Sequence, residues 1–528
     1  MPRTWHATCD CWDAPDLTAV RMTISQGLTV SHAQTSRSTF PLSLSAAFPR
    51  AASLRTAAAI ALGAAVLCGC AEFRAPEYEH PDAPAKAEWS RQEAISVSPE
   101  QTIVPDWWKS FGDPYLDKLV DRAISGNYDI KVLASRIGVA KAQIGEAKAG
   151  ALPVFDATAN VNVQKVAGVP TSKQTTLGGT VSWDIDIWGK VEKGVQAQKA
   201  EFHATEADWR AGYLTLVSDV SITYFQILQF DEQIQTQDRT LARNRQILTT
   251  YDAMFHNGLI PKTRVMQQQA EINRLTKDLL ELHRSRDIAE NALATLVGVP
   301  AGDFKVPTGR LQQRVQLPPV PAGLPSRLLE RRPDIIAAEY RVLGANNLIG
   351  QARLAQLPTI SLTGNAGVSS FALAGLMKAF AGGFMPSINL PMLDPNVRAR
   401  VKTSEAQIKV AQADYGRTVI NAFEEVEDAL VNVDSHKKQR IELQQQVEQL
   451  KVVNAQVEAQ VREGVVSQLD VFESERSLLT AQQALLAAHQ QILADTVTLY
   501  KALGGGWPAT TVRNEREERN NGSNQARQ

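Results

Sequence analysis

Residue types that carry out catalysis are present in this chain, but their spacing does not assemble them into a reactive group. The eight histidines are scattered, with no His-Glu-x-x-His segment and no pair at metal-ligand spacing. The sequence also lacks a Gly-x-Ser-x-Gly nucleophile turn and a glycine-rich phosphate loop. We therefore predict that the protein is not an enzyme and has no metal or other cofactor.

One cysteine lies in a context that indicates covalent lipid attachment. The apolar run from Ala57 to Leu67 follows two arginines and matches a secretory signal, and it is too short to span a bilayer. It ends in Leu67-Cys68-Gly69-Cys70, which looks like a bacterial lipobox. That resemblance implies cleavage before Cys70 and acylation of this residue. The alternative is an ordinary signal with incidental cysteines. Cleavage would leave Cys70 alone among the four cysteines, with no intrachain disulfide.

Charge and hydropathy limit the possible partners and the possible membrane segments. With 55 basic and 56 acidic residues, the formal net charge is −1, so no global basic field would attract nucleic acid. The stretch from Glu72 to Ser98, rich in Pro, Ala and charge, predicts an extended tether. Beyond Cys70 no apolar run reaches the length of a membrane helix. If the mature chain crosses a membrane, it must do so with strands.

The chain contains two copies of one module. Leu152-Pro153 and Leu357-Pro358 are 205 residues apart, and the glycines Gly258 and Gly464 are 206 apart. This period is far longer than that of solenoid or propeller repeats, so each copy is a whole structural module. In each copy a helix leads into a strand pair, and the pair leads into a long helical hairpin.

The predicted strands alternate apolar and polar residues. The alternation runs through Phe155–Val163 and Thr180–Trp188 in the first copy and from Ile360 to Val368 in the second. Loops are predicted at Lys165–Thr176 and Ser370–Gly383. About ten alternating residues are typical of a transmembrane barrel strand, although a soluble half-buried sheet has the same periodicity. The predicted lipid anchor favours the barrel.

The predicted hairpins carry a heptad seam, which indicates coiled-coil packing. Helices of about 195–257 and about 398–462 would each be roughly 95 Å long. Each copy has one polar seam residue, Asn244 or Asn454, that we expect to fix register. The seam positions of the descending helices are Leu241, Asn244, Leu248, Tyr251 and Phe255, and Leu443, Val447, Leu450, Asn454, Val457 and Val461.

Four strands in lipid cannot stand alone, because both edges of an open sheet would leave backbone groups unpaired. Chains must therefore share a barrel, and three chains give the twelve strands that leave room for a lumen. The predicted fold class is an α+β membrane protein, internally duplicated. Its predicted assembly is a trimeric 12-stranded β-barrel continued by a long α-helical coiled-coil tunnel.

Four motifs resemble the TolC-like outer-membrane factors, in particular the lipoproteins of the NodT and OprM type. The motifs are Trp107–Pro114, Trp183–Lys190, Arg331–Ile335 and Ala422–Ala429. The resemblance covers essentially the whole mature chain. It implies a homotrimer in the cell outer membrane, lipid-anchored and extending into the periplasm. It also implies a periplasmic adaptor and an inner-membrane RND pump as partners, and export of drugs or small amphiphilic compounds. An exit duct for an ABC-driven exporter and a lipid-tethered coiled-coil scaffold without a pore remain alternatives.

The resemblance also assigns roles to residues at the hairpin turns. It implies an acidic aperture ring at Asp470 and Glu473, with Arg264 at the corresponding place in the first hairpin. The turns themselves would dock on the adaptor. The residues expected there are Gly258, Leu259, Gly464 and Val465.

The predicted domain organisation follows from the repeat and the signal. Residues 1–69 are an extension and signal peptide, and residues 70–100 are the lipid anchor and tether. The two modules occupy residues 101–305 and 306–510, and a disordered tail occupies residues 511–528.

Two further groups of residues have predicted environments. Trp107 and Trp108 are expected to pack where the tether meets the folded body. An acidic cluster is expected to form a solvated helix face, with pairing between subunits as the alternative. The cluster consists of Glu424, Glu425, Glu427 and Asp428.

Overall fold

The computed structural model describes residues 76–82, 84, 86, 88–90, 103–168, 170–319, 325–371 and 380–505. Cys70, the predicted signal and the predicted C-terminal tail lie outside these residues. None of the helices in the described part of the chain has an apolar run long enough to cross a lipid bilayer.

The two modules have the predicted order of elements. The first contains α1 (Pro114–Gly126), α2 (Tyr128–Ala149), β1 (Val154–Gln164), β2 (Ser172–Ile185), α3 (Lys190–His256) and α4 (Lys262–Val297). Between the modules lie the short helices α5 (Leu311–Arg314) and α6 (Pro325–Arg331). The second module contains α7 (Pro333–Leu354), β3 (Thr359–Ser370), β4 (Phe380–Asn389), α8 (Pro395–Arg462) and α9 (Gln468–Ala502). The long helices α3 and α8 therefore begin a few residues earlier than predicted.

The four strands form one antiparallel sheet in the order β1-β2-β3-β4. The two modules meet at the centre of the sheet, where Thr180 of β2 pairs with Asn365 of β3. Among the described residues, the outer strands β1 and β4 each pair on one side only. The sheet therefore ends in two open edges, one from each module.

The strands are longer at their loop ends than the sequence predicts. β2 begins at Ser172, inside the predicted loop, because the β-branched Thr175 and Thr176 pair with Val161 and Asn160 of β1. β4 begins at Phe380, also inside a predicted loop. In contrast, β2 ends at Ile185, before the predicted Trp188.

Two tryptophans of the Trp183–Lys190 motif hold the ends of the sheet against the ends of the preceding helices. The indole Nε1 of Trp183 donates to the carbonyl of Ala151 at 2.9 Å. The indole Nε1 of Trp188 donates to the carbonyl of Pro358 at 2.7 Å. Each bond satisfies a carbonyl near a chain reversal, where the helix has stopped and the strand has not yet begun.

Small residues bring α3 and α7 close together. Ala197, Ala200, Ala204 and Ala207 are buried on α3 at spacings of three, four and three residues. A Cβ on Gly344 of α7 would lie 3.6 Å from the Cβ of Ala200, which is ordinary contact. The first part of α3 is therefore packed along its length against the helix that opens the second module.

An aromatic cluster fills the core near the start of the first module. Trp107 is 1% exposed and stacks on Tyr500 of α9, with ring centroids 5.1 Å apart. Trp108 and Phe111 are also buried. The predicted packing role of Trp107 and Trp108 is therefore correct, and their partners include the end of the last helix.

Arg332 joins the start of α7 to two other helices. Its guanidinium donates to the carboxylate of Asp334 at 2.6 Å and to the carbonyl of Ala502 at 3.0 Å, and it pairs with Glu425 of α8 at 2.7 Å. The Arg332 side chain is only 8% exposed. Removing the partners of a buried charge typically costs about 3–5 kcal/mol. The Arg332 side chain therefore stabilises the packing of α7 against α8 and α9.

The described residues before position 91 are docked on the second module. Trp89 is buried and packs edge-on against Phe423, with ring centroids 6.2 Å apart. The backbone N–H of Ser90 donates to Glu427 at 3.0 Å, and Lys86 pairs with the same carboxylate. The predicted solvated face is wrong for Glu427, which is only 17% exposed, whereas Glu424, Glu425 and Asp428 are exposed as predicted.

Candidate functional site

Each helical hairpin reverses at a glycine with left-handed backbone. The φ angle is +74° at Gly258 and +75° at Gly464, in the region that glycine adopts without strain. The backbone N–H groups of Leu259 and Val465 each donate to the helix that has just ended, at 2.9 Å. This bond pattern is a helix C-cap, so the sequence Gly-Leu or Gly-Val ends a helix and turns the chain back.

The residues after the two glycines project apolar side chains into solvent. Leu259 is 70% exposed and Val465 is 68% exposed. Large apolar side chains at the end of a hairpin have no packing partner within the chain. They form a pair of matched tips, one from each module.

The two hairpins differ at the start of their returning helices. Arg264 and Asp470 occupy equivalent positions, since 470 − 264 = 206, the offset that relates the two turn glycines. In the second hairpin, Oδ2 of Asp470 accepts hydrogen bonds from the backbone N–H and the hydroxyl of Ser467, at 2.8 and 2.7 Å. In the first hairpin, the cap residue Pro261 has no side-chain bond to offer.

Asp470 therefore has a local role that the sequence analysis missed. Ser467 and Asp470 form a capping box, for which the Ser-x-x-Asp spacing is the sequence signal. The Ser467 hydroxyl, and then its backbone N–H, hold the pKa of Asp470 below its ordinary value. The carboxylate stays ionised to lower pH than usual, and the cap is lost only as the pH falls through that lowered pKa.

Glu473 is the freer of the two predicted aperture carboxylates. Its side chain is exposed and makes no hydrogen bond or ion pair with any residue that the structure describes. It lies three residues after Asp470 on α9, so both carboxylates lie on the same side of the helix. The structure therefore brings the two predicted acidic residues together near one hairpin turn.

Polar contacts join the first hairpin to the second just above the turns. The Tyr251 hydroxyl of α3 donates to Oε1 of Gln468 on α9. Farther from the turn, Nδ2 of Asn244 donates to Oε2 of Glu475 at 3.1 Å. We call the contacts of Arg243, Asn244 and Tyr251 with the second hairpin the hairpin join.

Arg243 and Glu475 are the charged members of the hairpin join. Arg243 pairs with Glu458 of α8 and lies 4.0 Å from a carboxylate oxygen of Glu475. Burial raises the pKa of Glu475, and this effect exceeds the lowering by Asn244 and by the charge of Arg243. Sequence analysis missed these residues because their contacts link helices that are more than 200 residues apart in the chain.

The predicted seam asparagines are buried, and each contacts the returning helix of its own hairpin. Nε2 of Gln268 donates to Oδ1 of Asn244 at 2.7 Å, and the Ser474 hydroxyl donates to Oδ1 of Asn454 at 2.9 Å. Gln268 and Ser474 both lie ten residues after their turn glycine. Buried amides without partners cost about 1–3 kcal/mol, so these bonds disfavour any shifted register.

The described residues contain no cluster of histidine, cysteine or carboxylate side chains that could hold a metal ion. The acidic residues near the second turn are exposed and separate, rather than gathered around a cavity. Their geometry suits a long-range electrostatic effect more than the binding of a ligand at a fixed point.

The sequence and the fold both match known efflux proteins. The family profile described as "Outer membrane efflux protein" matches residues 119–299 and 324–505, one segment in each module. A relative is the "Toluene efflux pump outer membrane protein TtgC" of Pseudomonas putida, 30% identical, with 85% of this chain and 95% of the relative covered. Another is the "Probable outer membrane lipoprotein SilC" of Salmonella typhimurium, 28% identical, with 84% and 97% covered.

Solved structures have the same fold. The outer-membrane channel OprN matches with a TM-score of 0.71 and 26% identity, covering 82% of this chain and 99% of that one. The open state of the Neisseria gonorrhoeae MtrE outer membrane channel matches with a TM-score of 0.71 and 29% identity, covering 83% and 99%. The predicted fold class is confirmed, with a four-stranded sheet and two long helical hairpins supplied by two modules.

Both modules, the sheet between them and the paired hairpin turns are thus accounted for by one family. The chain belongs to the outer membrane efflux protein family and is an outer-membrane channel subunit of an efflux system.

Proposed function

We propose that three copies of this chain form the exit duct of a tripartite pump that exports small amphiphilic compounds, with no catalytic step of its own. The observation that carries the proposal is the pair of hairpins ending in exposed tips, with two carboxylates beside one turn. Relatives are named for efflux of toluene, solvents, antibiotics and cations. An inner-membrane RND pump would drive transport, and a periplasmic adaptor would connect it to the duct.

The open edges of the sheet support assembly from three copies. β1 and β4 each lack a neighbour on one side within the chain. Pairing β4 of one copy with β1 of the next leaves no edge, and twelve strands enclose a lumen, whereas eight would be filled by side chains.

An apolar stripe on α8 supports the same assembly below the sheet. Its residues recur every 10 or 11 positions, about three turns of a supercoiled helix. All five side chains are more than a third exposed in the single chain. They are Val410, Ile420, Val431, Ile441 and Val452.

Asp470 and Glu473 would face the axis of the trimer and form the aperture. Six carboxylates converging on one axis attract cations and repel anions, most strongly where the wall excludes water. Arg264, at the equivalent place in the first hairpin, is positively charged and would not add to this acidic ring. We infer that the second hairpin sets the selectivity of the aperture.

The exposed tips are proposed as the adaptor-docking surface. Gly258 and Leu259 form one tip, and Gly464 and Val465 form the other. Their apolar side chains need a partner that buries them. An adaptor that caps both tips of every copy would meet a nearly sixfold arrangement.

A lipid on Cys70 is proposed as the outer-membrane anchor of each copy. The lipobox-like tetrapeptide before it and the lipoprotein name of one relative support this proposal. The docked residues up to Ser90 would then hold the lipidated end against the second module.

Native mass spectrometry of the purified protein tests both the anchor and the copy number. We expect a complex of three chains, each beginning at Cys70 and carrying covalent acyl chains. The variant Cys70→Ser should lose the acyl mass while the complex keeps three chains, because the strands and helices hold it together. A different copy number, or an unchanged mass in the variant, would contradict the corresponding part of the proposal.

The aperture is tested by ion selectivity in planar bilayers. Glu473→Gln removes a charge that has no other bond, so we expect weaker cation selectivity with unchanged thermal stability. Asp470→Asn should lower both the cation selectivity and the thermal stability, because it also disrupts the cap with Ser467. Glu442→Gln, at an exposed carboxylate on α8 that has no ion pair among the described residues, is the matched control. Equal selectivity in Glu473→Gln and the unmodified protein would exclude Glu473 from the aperture.

The hairpin join is proposed to hold the aperture narrow. Arg243 is 46% exposed, so its ion pairs contribute at most about 1 kcal/mol after solvent screening. Arg243→Ala should therefore raise the fraction of open channels up to about fivefold, measured as single-channel open probability. Arg245→Ala removes an exposed arginine two residues away that has no ion pair within the described chain, and should leave this fraction unchanged. Equal behaviour of the two variants would rule out a role for Arg243.

A further inference from the structure

The seam between α8 and α9 contains charged residues about halfway along the second hairpin. Val433, His436, Arg440, Leu443 and Val447 follow the three-four spacing of a heptad seam on α8. His489 and Asp495 face this part of the seam from α9. We call His436, Arg440, His489 and Asp495 the charged layer.

His436 and Asp495 form one half of the charged layer, in which both carboxylate oxygens of Asp495 have partners. Nδ1 of His436 lies 2.6 Å from Oδ2 of Asp495, and Nε2 of Gln491 donates to Oδ1 of the same carboxylate at 3.1 Å. Asp495 is only 6% exposed. The His436 ring and the Asp495 carboxylate therefore satisfy each other in the packed hairpin.

Arg440 and His489 form the other half of the charged layer. Nε of Arg440 and Nε2 of His489 are buried, and neither has a hydrogen-bond partner in the described part of the chain. Burial lowers the pKa of the His489 imidazole, and the positive charge of Arg440 lowers it further. Both effects disfavour the protonated form of His489 in the packed hairpin.

Neither Arg440 nor His489 forms an ion pair with a carboxylate among the described residues. On α9 itself, no Asp, Glu, Lys or Arg occurs between Arg476 and Asp495. On α3, which contacts α9 through Gln233 and Gln483, the charged residues next to this contact are Asp231 and Glu232. Asp231 pairs with Arg286 of α4 at 2.6 Å, and Oε2 of Glu232 is buried without a hydrogen-bond partner in the described part of the chain.

The equivalent positions of the first hairpin are apolar, apart from one exposed histidine. With the offset of 206, His436, Arg440 and Asp495 correspond to Phe230, Ile234 and Ala289. Ile234 and Ala289 are buried, and Phe230 packs against the core. The histidine equivalent to His489 is His283, which is exposed.

The first hairpin does have buried charges at this level, but they are paired. Arg286 of α4 pairs with Asp231 at 2.6 Å and with Glu290 at 3.3 Å. The two hairpins therefore differ in whether their buried charges have partners of opposite sign.

We propose that the charged layer makes the second hairpin, and not the first, loosen as the pH falls below neutrality. A proton taken up by His489 places a second positive charge beside Arg440 without an acceptor. The packing is therefore fully stable above the ordinary histidine pKa of about 6.5 and weakens as the pH falls below it. Uptake of one proton on opening raises the opening equilibrium by up to about tenfold per pH unit.

The consequence for transport rests on the proposed function. The second hairpin carries Asp470 and Glu473, so its loosening would change the aperture, while the first hairpin would keep its packing. The duct would then respond to the acidity of the compartment around its helices.

Hydrogen–deuterium exchange of the full-length protein in nanodiscs tests the proposal directly. Exchange at pH 7.5 and pH 5.5, with labelling times corrected for intrinsic rates, is compared for residues 430–445 and 483–497 of the second hairpin. Residues 224–239 and 277–291 of the first hairpin provide the internal control. We expect slow amides of the second hairpin to exchange up to about tenfold faster at pH 5.5, and those of the first to remain unchanged. Glu475, 14 residues before His489, lies outside the compared segments.

Two variants assign the effect to its source. His489→Gln should abolish the acid response. His283→Gln, at the exposed equivalent position, should change nothing. Equal acid responses of the two hairpins, or a full response in His489→Gln, would overturn the proposal. Because exchange reports packing and not transport, a negative result leaves the proposed duct intact, and a failure of the conductance tests leaves the charged layer intact.

Discussion

The structure depends on the side-by-side packing of long helices, because most helical stability in proteins comes from packing against neighbours. α3 has 67 residues, which corresponds to about 100 Å of helix. It packs against α2 and α7 in its first part and against α4 and α9 farther along. Small residues allow the close approach to α7, whereas a heptad seam and buried amides set the register with α4. A single helix thus connects the sheet, the aromatic core and the hairpin turns.

The duplication supplies two hairpins of the same length and turn geometry but different chemistry. Arg264 replaces Asp470, and Pro261 replaces Ser467. At the positions of His436, Arg440 and Asp495 the first hairpin has Phe230, Ile234 and Ala289. Because the two hairpins have the same length and turn geometry, both can line the wall of the proposed duct. Divergent side chains then give each hairpin its own electrostatic character. We therefore interpret the first hairpin chiefly as a packing and docking element and the second as the element that senses charge.

Periodicity was sufficient to predict the elements of the fold. The heptad spacing predicted both hairpins, and the constant offset placed Gly258 and Gly464 at equivalent turns. Strand boundaries were less predictable, since threonines and phenylalanines inside the expected loops continue the strands through pairing with neighbours. The Pro- and Ala-rich segment around Trp89 has no periodicity, so its docking on α8 could not be predicted from the chain alone.

The candidate site was predictable only in part. Local signals identified the turn glycines, and the capping box of Ser467 and Asp470 could have been found from its spacing. The hairpin join could not, because Arg243, Asn244 and Glu475 meet through the fold and carry no shared sequence pattern. The charged layer is an intermediate case. Its seam positions on α8 follow from the heptad, but the pairing of His436 with Asp495 and the isolation of His489 require the packed structure.

The central claim is that contacts between the two hairpins of one chain hold the aperture narrow. It is tested most directly by placing cysteines at Tyr251 and Gln468, joining them with a short bis-methanethiosulfonate reagent and recording conductance in planar bilayers. No native cysteine follows Cys70, so the introduced thiols are the intended targets. The account predicts low conductance in the joined protein and a marked rise when reductant cleaves the link. In either single-cysteine variant, reductant should leave the conductance unchanged. Equal conductance before and after cleavage would contradict it.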